Sequence, residues 1–251
     1  MDLLPVEIKV DVDTDVAAAL SVLGGLQSAA TNRRIWFAED RDGVAGGRVP
    51  LLEGGVIVRL RVGGAHRDDL TVKLRPCVRE QLVGRFSAPF DAEPFEYKIE
   101  EDWSGSGRKM AASLTCDHPP GALSTAVGPG TDPAASIDTL QDQFLHACVP
   151  AVRPDGLVAL GPVLSTKVGD VPLDDLEVDL EVWSVAGMEF LEASIRVKPK
   201  QDDDAGSFTE RAERKQRKLE DAVRRRGVAL SAHPGNKTQR VLTALAAAGR
   251  G

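Results

Sequence analysis

Six stretches of the chain alternate apolar and charged or polar residues with a period of two. Val6, Ile8, Val10 and Val12 alternate with Glu7, Lys9, Asp11 and Asp13, and Val56, Val58, Leu60 and Val62 flank Arg59 and Arg61. Leu70, Val72 and Leu74 alternate with Thr71, Lys73 and Arg75, and Phe95, Tyr97 and Ile99 with Glu96, Lys98 and Glu100. The pattern returns at Leu176, Val178, Leu180 and Val182 against Glu177, Asp179 and Glu181, then at Leu191, Ala193, Ile195 and Val197 against Glu192, Ser194, Arg196 and Lys198. Successive side chains of a strand point to opposite faces, so each stretch predicts a strand with one apolar and one charged face.

Other segments fill in between. Asp13-Thr14-Asp15 offers N-cap chemistry for a short helix over 16–23, ended by Gly24-Gly25. Arg33-Arg34-Ile35-Trp36-Phe37 predicts a strand, 40–55 a loop, and Gly63 to Asp69 a hairpin turn. Residues 76–94 are punctuated by proline, 109–115 predict a strand, and 117–133 form a Pro- and Gly-rich loop. Ile137, Leu140, Phe144, Leu145 and Cys148 recur at helical spacing. Strands are expected at 157–168, 176–183 and 190–198, a flexible acidic linker at 202–207, and helices at 208–226 and 236–247. Strands dominate and consecutive ones pair as antiparallel neighbours, which makes the class α+β.

Composition narrows the field without deciding it. With 251 residues, 42% of them hydrophobic and 27% charged, the chain is ordinary globular material and long enough for one large barrel or sandwich. No apolar run approaches the roughly 18 residues of a membrane span, and the first residues lack a signal-peptide pattern, so a cytoplasmic protein without a membrane partner is expected. Three widely spaced cysteines fit reduced thiols better than disulfides or a zinc site. A net charge of −7 disfavours general nucleic-acid binding. Oligomeric state is not legible.

The charged faces admit two readings. In one, an open antiparallel sheet turns its charged face to water, and cross-strand Lys–Glu pairs are surface decoration. In the other, the sheet closes into a barrel whose polar lumen collects Lys9, Arg59, Arg61, Lys73, Arg75, Lys98, Arg196 and Lys198 with Glu7, Glu96, Glu100, Glu181 and Glu192. Two like charges about 6 Å apart repel by roughly 3 kcal/mol at an effective dielectric of about 20, so such a lumen needs counter-charges. Internal ion pairs could supply them. So could a polyanion on the basic wall and a divalent cation on the acidic one, because Arg matches phosphate oxygens and carboxylates suit Mg²⁺ or Mn²⁺.

At this point the sequence resembles the CYTH family, the triphosphate tunnel metalloenzymes. Val6-Glu7-Ile8-Lys9 is similar to the family's N-terminal E-x-E-x-K signature, with Pro5 in place of its first glutamate. Arg34-Ile35-Trp36-Phe37-Ala38-Glu39 resembles the aromatic second strand, with Glu39-Asp40-Arg41 where Asp-Thr-Pro is usual. Ile57-Val58-Arg59-Leu60-Arg61 matches R-x-R, and Leu70 to Pro76 the T-x-K strand. Leu180-Glu181-Val182-Trp183 and Phe190 to Ser194 resemble the late acidic strands, and Lys98 stands where relatives often carry an acid.

The resemblance implies an antiparallel eight-stranded β-barrel, a tunnel with polar lumen and flanking helices. It would form a single domain over 1–251, with the barrel in 1–200 and C-terminal helices over 207–251 packed on it. It implies Mg²⁺ or Mn²⁺ held by Glu7, Glu181 and Glu192. Phosphates would be held by Lys9, Arg59, Arg61, Lys73 and Arg75, with Lys98, Arg196 and Lys198 facing the same way. The implied activity is metal-dependent hydrolysis of a triphosphate-containing small molecule (inorganic triphosphate, thiamine triphosphate or a nucleoside triphosphate). Glu7 and Lys9 would act at the reacting phosphate as a water attacks in line. Pro5 and Lys98 favour an alternative, a non-catalytic module binding polyphosphate or nucleotides; adenylate cyclisation is a third. Lys237 in Gly235-Asn236-Lys237-Thr238 is expected either to point toward the phosphate site or to lie in water on a surface helix.

Gly105-Ser106-Gly107-Arg108-Lys109 lacks P-loop spacing, and the four histidines share no ligand spacing. Arg224-Arg225-Arg226 reads as a solvated helix end. No serine has a histidine partner at a recognisable motif.

Overall fold

The alternating stretches do form strands, and the ladder they build closes on itself. A computed structural model describes residues 3–26, 29–63, 67–235 and 237–248. Along it run β1 (Val6–Val12), α1 (Val16–Val22), β2 (Ala30–Asp40), α2 (Arg41–Ala45), α3 (Pro50–Glu53), β3 (Val56–Val62) and β4 (Asp68–Leu74). Then come β5 (Phe90–Ala92), β6 (Phe95–Ser104), β7 (Gly107–His118), α4 (Thr139–Cys148), β8 (Leu157–Leu173), β9 (Leu176–Val185), β10 (Met188–Val197), α5 (Ala205–Arg225) and α6 (Lys237–Ala248). Hydrogen bonds order the strands β1-β10-β9-β8-β2-β3-β4-β7-β6-β5, and an additional β1–β6 pairing closes the first nine into a ring.

The β1–β6 pairing is parallel, matching residues 6–9 with 101–104, while β1–β10, β9–β10 and β8–β9 are antiparallel. The expected antiparallel eight-stranded barrel is therefore a mixed one of nine strands. A parallel pair has no connecting hairpin, so nothing in the local sequence announces it.

The chain divides into two compact units. The first comprises 1–32, 100–109 and 164–237. Its core is the apolar face of β1, β8, β9 and β10 covered by α1 and α5. Val6, Ile8, Val10 and Val12 are buried together with Val16, Ala19, Phe208, Ala212, Leu219 and Val223. The long charged helix α5 contributes Phe208, Ala212, Gln216, Leu219 and Val223, a helical-period stripe in an otherwise polar sequence. The stretch 202–207, expected as a flexible linker, is ordered instead. Asp204 accepts from the Ser207 N–H to cap α5, and Asp203 accepts from the Lys200 N–H and pairs with Arg211. Asp15 precedes α1 in a left-handed conformation and makes no side-chain cap bond, so the N-cap expected there is absent. Arg225 and Arg226 at the end of α5 bind Asp174, whose carboxyl they hold below its usual range.

The second unit comprises 33–99, 110–163 and 238–251. Here β2, β3, β4 and β7 pair antiparallel in turn, and Phe86, Phe90, Tyr97 and Phe144 form an aromatic cluster with centroids 5.0–6.4 Å apart. Gln141 on α4 is fully buried, and its side-chain amide donates to the Leu70 and Leu114 carbonyls at 2.8 and 3.0 Å. The turn between β3 and β4 includes 64–66, outside the described residues.

The expected loop at 40–55 contains two short helices, too short for periodicity to reveal. Their anchor is Glu39, buried at the end of β2. Its carboxylate accepts from the N–H groups of Asp40 (3.1 Å), Leu51 (3.0 Å) and Leu52 (2.8 Å), the last two being free donors in the first turn of α3. Burial pushes the Glu39 carboxyl up from its ordinary value, against the pull of these bonds. A raised carboxyl favours the folded state most below the ordinary glutamate range, and that contribution fades as pH rises through the raised native value. Urea unfolding of wild type and Glu39→Gln should therefore give a stability difference that shifts against wild type between pH 4 and pH 7. A shift in wild type's favour would mean the N–H bonds outweigh desolvation.

Candidate functional site

The polar face of β1 lies within the fold rather than in open water. On β1, Glu7 and Lys9 alternate with fully buried apolar residues, yet the Lys9 side chain is only 14% exposed. An open sheet facing solvent would leave it far more accessible, so that reading is set aside for this face.

The register builds the first cluster. Glu7 lies opposite Arg196 on β10 and opposite Asp102 on β6. Carboxylate oxygens of Glu7, Glu100 and Asp102 all fall within 4.8 Å of one another. Lys9 Nζ sits 2.8 Å from Glu7 Oε2 and 3.3 Å from Asp102 Oδ1, and Arg196 Nη2 donates to Glu100 Oε2 at 2.6 Å. The Asp102 side chain is 1% exposed. Burying carboxylates is costly unless they are paired. Lys9 and Arg196 place positive charge directly against these carboxylates. Three converging hard oxygen donors, two of them on buried residues, suit a Mg²⁺- or Mn²⁺-sized cation, so the residues present fit such an ion.

A second cluster lies further along the same polar face. Glu181 on β9 is directly opposite Glu192 on β10. Lys237 Nζ is 3.1 Å from Glu192 Oε2 and 3.9 Å from Glu181 Oε2, and it lies 4.1 Å from the centroid of the Trp183 ring. Ser165 on β8 donates to Glu181 Oε1 at 2.6 Å. A strap over 231–235 leads to Lys237. The Ser231 N–H donates to the Asp11 carbonyl at 2.7 Å, and the Gly235 N–H to Asp11 Oδ2 at 2.7 Å. Ser104 donates to the same Asp11 oxygen, and the positive φ of Gly105 lets Pro234 pass so close that a Cβ there would lie 2.9 Å from its ring. Lys237 is therefore buried, at 9% exposure, rather than in water as one expectation had it.

In the second unit Arg59, Arg61 and Lys73 share a half-buried polar face with Asp69, Thr71 and Thr115. Arg59 donates to Thr71 Oγ1 at 3.3 Å, Thr71 and Thr115 hydroxyls lie 3.0 Å apart, and Asp69 holds Arg33 at 2.8 Å and Arg61 at 3.6 Å. Arg75 follows the end of β4, with its N–H on the Gly55 carbonyl at 2.7 Å.

Of the expected metal ligands, the structure joins Glu7 to Glu100 and Asp102, while Glu181 and Glu192 pair with each other around Lys237. Of the expected phosphate ligands, Lys9 and Arg196 bind the first acidic cluster, Lys98 binds Glu96 at 2.6 Å, and Lys198 is exposed beyond the end of β10. Asp102 is the residue that sequence reasoning missed. Its signal was present, since Glu96, Lys98, Glu100, Asp102 and Ser104 share one parity along β6. The cysteines are buried thiols outside any disulfide, and burial pushes the Cys116 thiol up to about 11, which disfavours the thiolate.

No protein-family model matches the sequence, and no curated protein matches it significantly. Solved structures do share its fold. A Hippeastrum protein, HpAC1, proposed as an adenylyl cyclase and described as having a dominant triphosphatase activity, is 14% identical over 95% of each chain with a TM-score of 0.58. A Bacillus halodurans protein proposed as an adenylate cyclase is 12% identical over 95% of this chain and 98% of its own, with a TM-score of 0.50. These neighbours are of the CYTH, or triphosphate tunnel metalloenzyme, type, and this chain has their fold. Among the described residues no helix is long and apolar enough to cross a membrane.

Proposed function

We propose that the protein is a divalent-metal-dependent phosphohydrolase acting on a triphosphate-containing small molecule. The observation that carries this reading is the convergence of Glu7 with the buried Glu100 and Asp102, with Lys9 and Arg196 against them. That group would hold Mg²⁺ or Mn²⁺ through Glu7, Glu100 and Asp102. A bound divalent ion withdraws negative charge from phosphate oxygens and so favours attack at phosphorus. Lys9 holds Glu7 and Asp102 in place and can pass one of its three N–H donors to a phosphate oxygen. Arg196 fixes the orientation of Glu100. Arg59, Arg61, Lys73 and Arg75 are read as phosphate ligands on the R-x-R and T-x-K patterns of the sequence, and Arg59 and Arg61 offer forked guanidinium donors for the purpose. The dominant triphosphatase activity described for HpAC1 supports the same substrate class.

The test is phosphate release from inorganic triphosphate, thiamine triphosphate and ATP, with Mg²⁺, with Mn²⁺ and with chelator, against a Glu7→Gln control. Metal-dependent release from at least one substrate is expected. Release no higher than the control on all three would overturn the reading. Cyclic AMP from ATP in the same assay would assign the cyclase activity instead, and metal-independent binding without turnover a non-catalytic module.

A further inference from the structure

The Glu181–Glu192 pair poses a question that the first cluster leaves unanswered. Two carboxylates directly opposite each other on neighbouring strands repel, and a cation between them relieves that repulsion. That cation is part of the chain. The Lys237 ammonium lies 3.1 Å from one carboxylate and 3.9 Å from the other, is nearly excluded from water, and rests 4.1 Å from the Trp183 ring centroid. The electron-rich ring face favours an ammonium but offers no oxygen ligand to a metal. Glu181 is further committed, since its Oε1 accepts from Ser165 while its Oε2 faces Lys237. The strap makes the arrangement specific. The Ser231 and Gly235 N–H groups, donating to the Asp11 carbonyl and to Asp11 Oδ2 at 2.7 Å each, and the passage of Pro234 over Gly105 deliver the residue at 237 to this point on the polar face.

We propose that Lys237 is a built-in counter-ion that occupies the Glu181–Glu192 pair and keeps it closed to divalent metal, so that the pair is a latent cation site. It thereby limits the acidic face to the ion held by Glu7, Glu100 and Asp102. The limit on number rests on the proposed metal site; the occupation of the pair does not. Lys237 is a residue that decides how many metal ions the protein takes, and it acts by charge rather than by touching substrate.

The test is Mn²⁺ titration of the full chain, followed by paramagnetic resonance of the free ion, with folding checked by circular dichroism. Wild type, Lys237→Met, Glu192→Gln and the double variant are compared. Lys237→Met should bind one more ion per chain than wild type, and the double variant should lose that extra ion. Glu192→Gln alone should leave the wild-type number unchanged. Equal numbers for wild type and folded Lys237→Met would overturn the proposal, as would an ion lost from Glu192→Gln alone. If Lys237→Met does not fold, the Glu192→Gln comparison decides by the same criterion. Wild type binding no ion would refute the Glu7, Glu100 and Asp102 site, yet an ion gained by Lys237→Met and lost in the double variant would still uphold the latent one.

Discussion

Asp102→Asn should lower metal-dependent triphosphate hydrolysis by about 10²- to 10³-fold, the equivalent of roughly 3–4 kcal/mol of transition-state stabilisation. The substitution keeps the shape of the side chain and removes its charge. The proposed metal site loses one of its three anionic donors, and the Lys9 ammonium loses the partner 3.3 Å away. Stability should change far less. Weakening the contact with Lys9 destabilises the fold, while removing one of three crowded carboxylates relieves like-charge repulsion, and the two effects oppose each other. Turnover at saturating Mg²⁺ and thermal unfolding in chelator separate these consequences. Turnover within about threefold of wild type would remove Asp102 from the catalytic machinery.

Gln141→Met should destabilise the fold by roughly 2–4 kcal/mol without touching the acidic clusters. Methionine matches glutamine in length and helix propensity, so α4 itself is little affected. What it removes is the amide that donates to the Leu70 and Leu114 carbonyls, on two neighbouring strands, from a position with no access to water. Buried carbonyls deprived of a donor carry their full desolvation penalty. The variant also loses half of the capping box at the start of α4, where the Gln141 side chain accepts from the Asp138 N–H at 3.2 Å. Urea unfolding with an unchanged slope measures the loss. A cost under about 1 kcal/mol would mean that the two carbonyls find sufficient partners within the ladder.

The strands were legible because period-two alternation is a local property: β1 carries it over its whole length, and β3, β4, β9 and β10 over most of theirs. The closing pair was not, because Val6 to Lys9 and Glu101 to Ser104 lie far apart in sequence and share no turn. The same distance hid the acidic cluster. Alternation placed Glu7 and Glu100 on charged faces, but only the register of β1 against both β6 and β10 brings Glu7 to Asp102 and Arg196. Helices α2 and α3 escaped notice because five and four residues cannot show a period of 3.6; their signals were caps, Asp40 before Arg41 and Pro50 at the first turn. Lys237 could be suspected of facing inward, but its partners Glu181 and Glu192 depended on the course of the strap.

Strand β1 pairs with β10 on one side and with β6 on the other, matching Val6 with Val197 as well as with Glu101. During synthesis it leaves the ribosome long before either partner exists. Its apolar edge, Val6, Ile8, Val10 and Val12, must wait for the chain to extend past residue 197 before α5 can cover it. Contacts of such sequence separation slow folding and leave hydrophobic surface open to other chains in the interval. Amide protection in β1 and β10 should accordingly appear last in pulse-labelled refolding, after the local β3–β4 hairpin, and a β1 protected first would contradict this order. The charged residues interleaved along β1, Glu7, Lys9 and Asp11, then serve the nascent chain before they serve any ligand, because a strand charged at every second position is a poor template for aggregation.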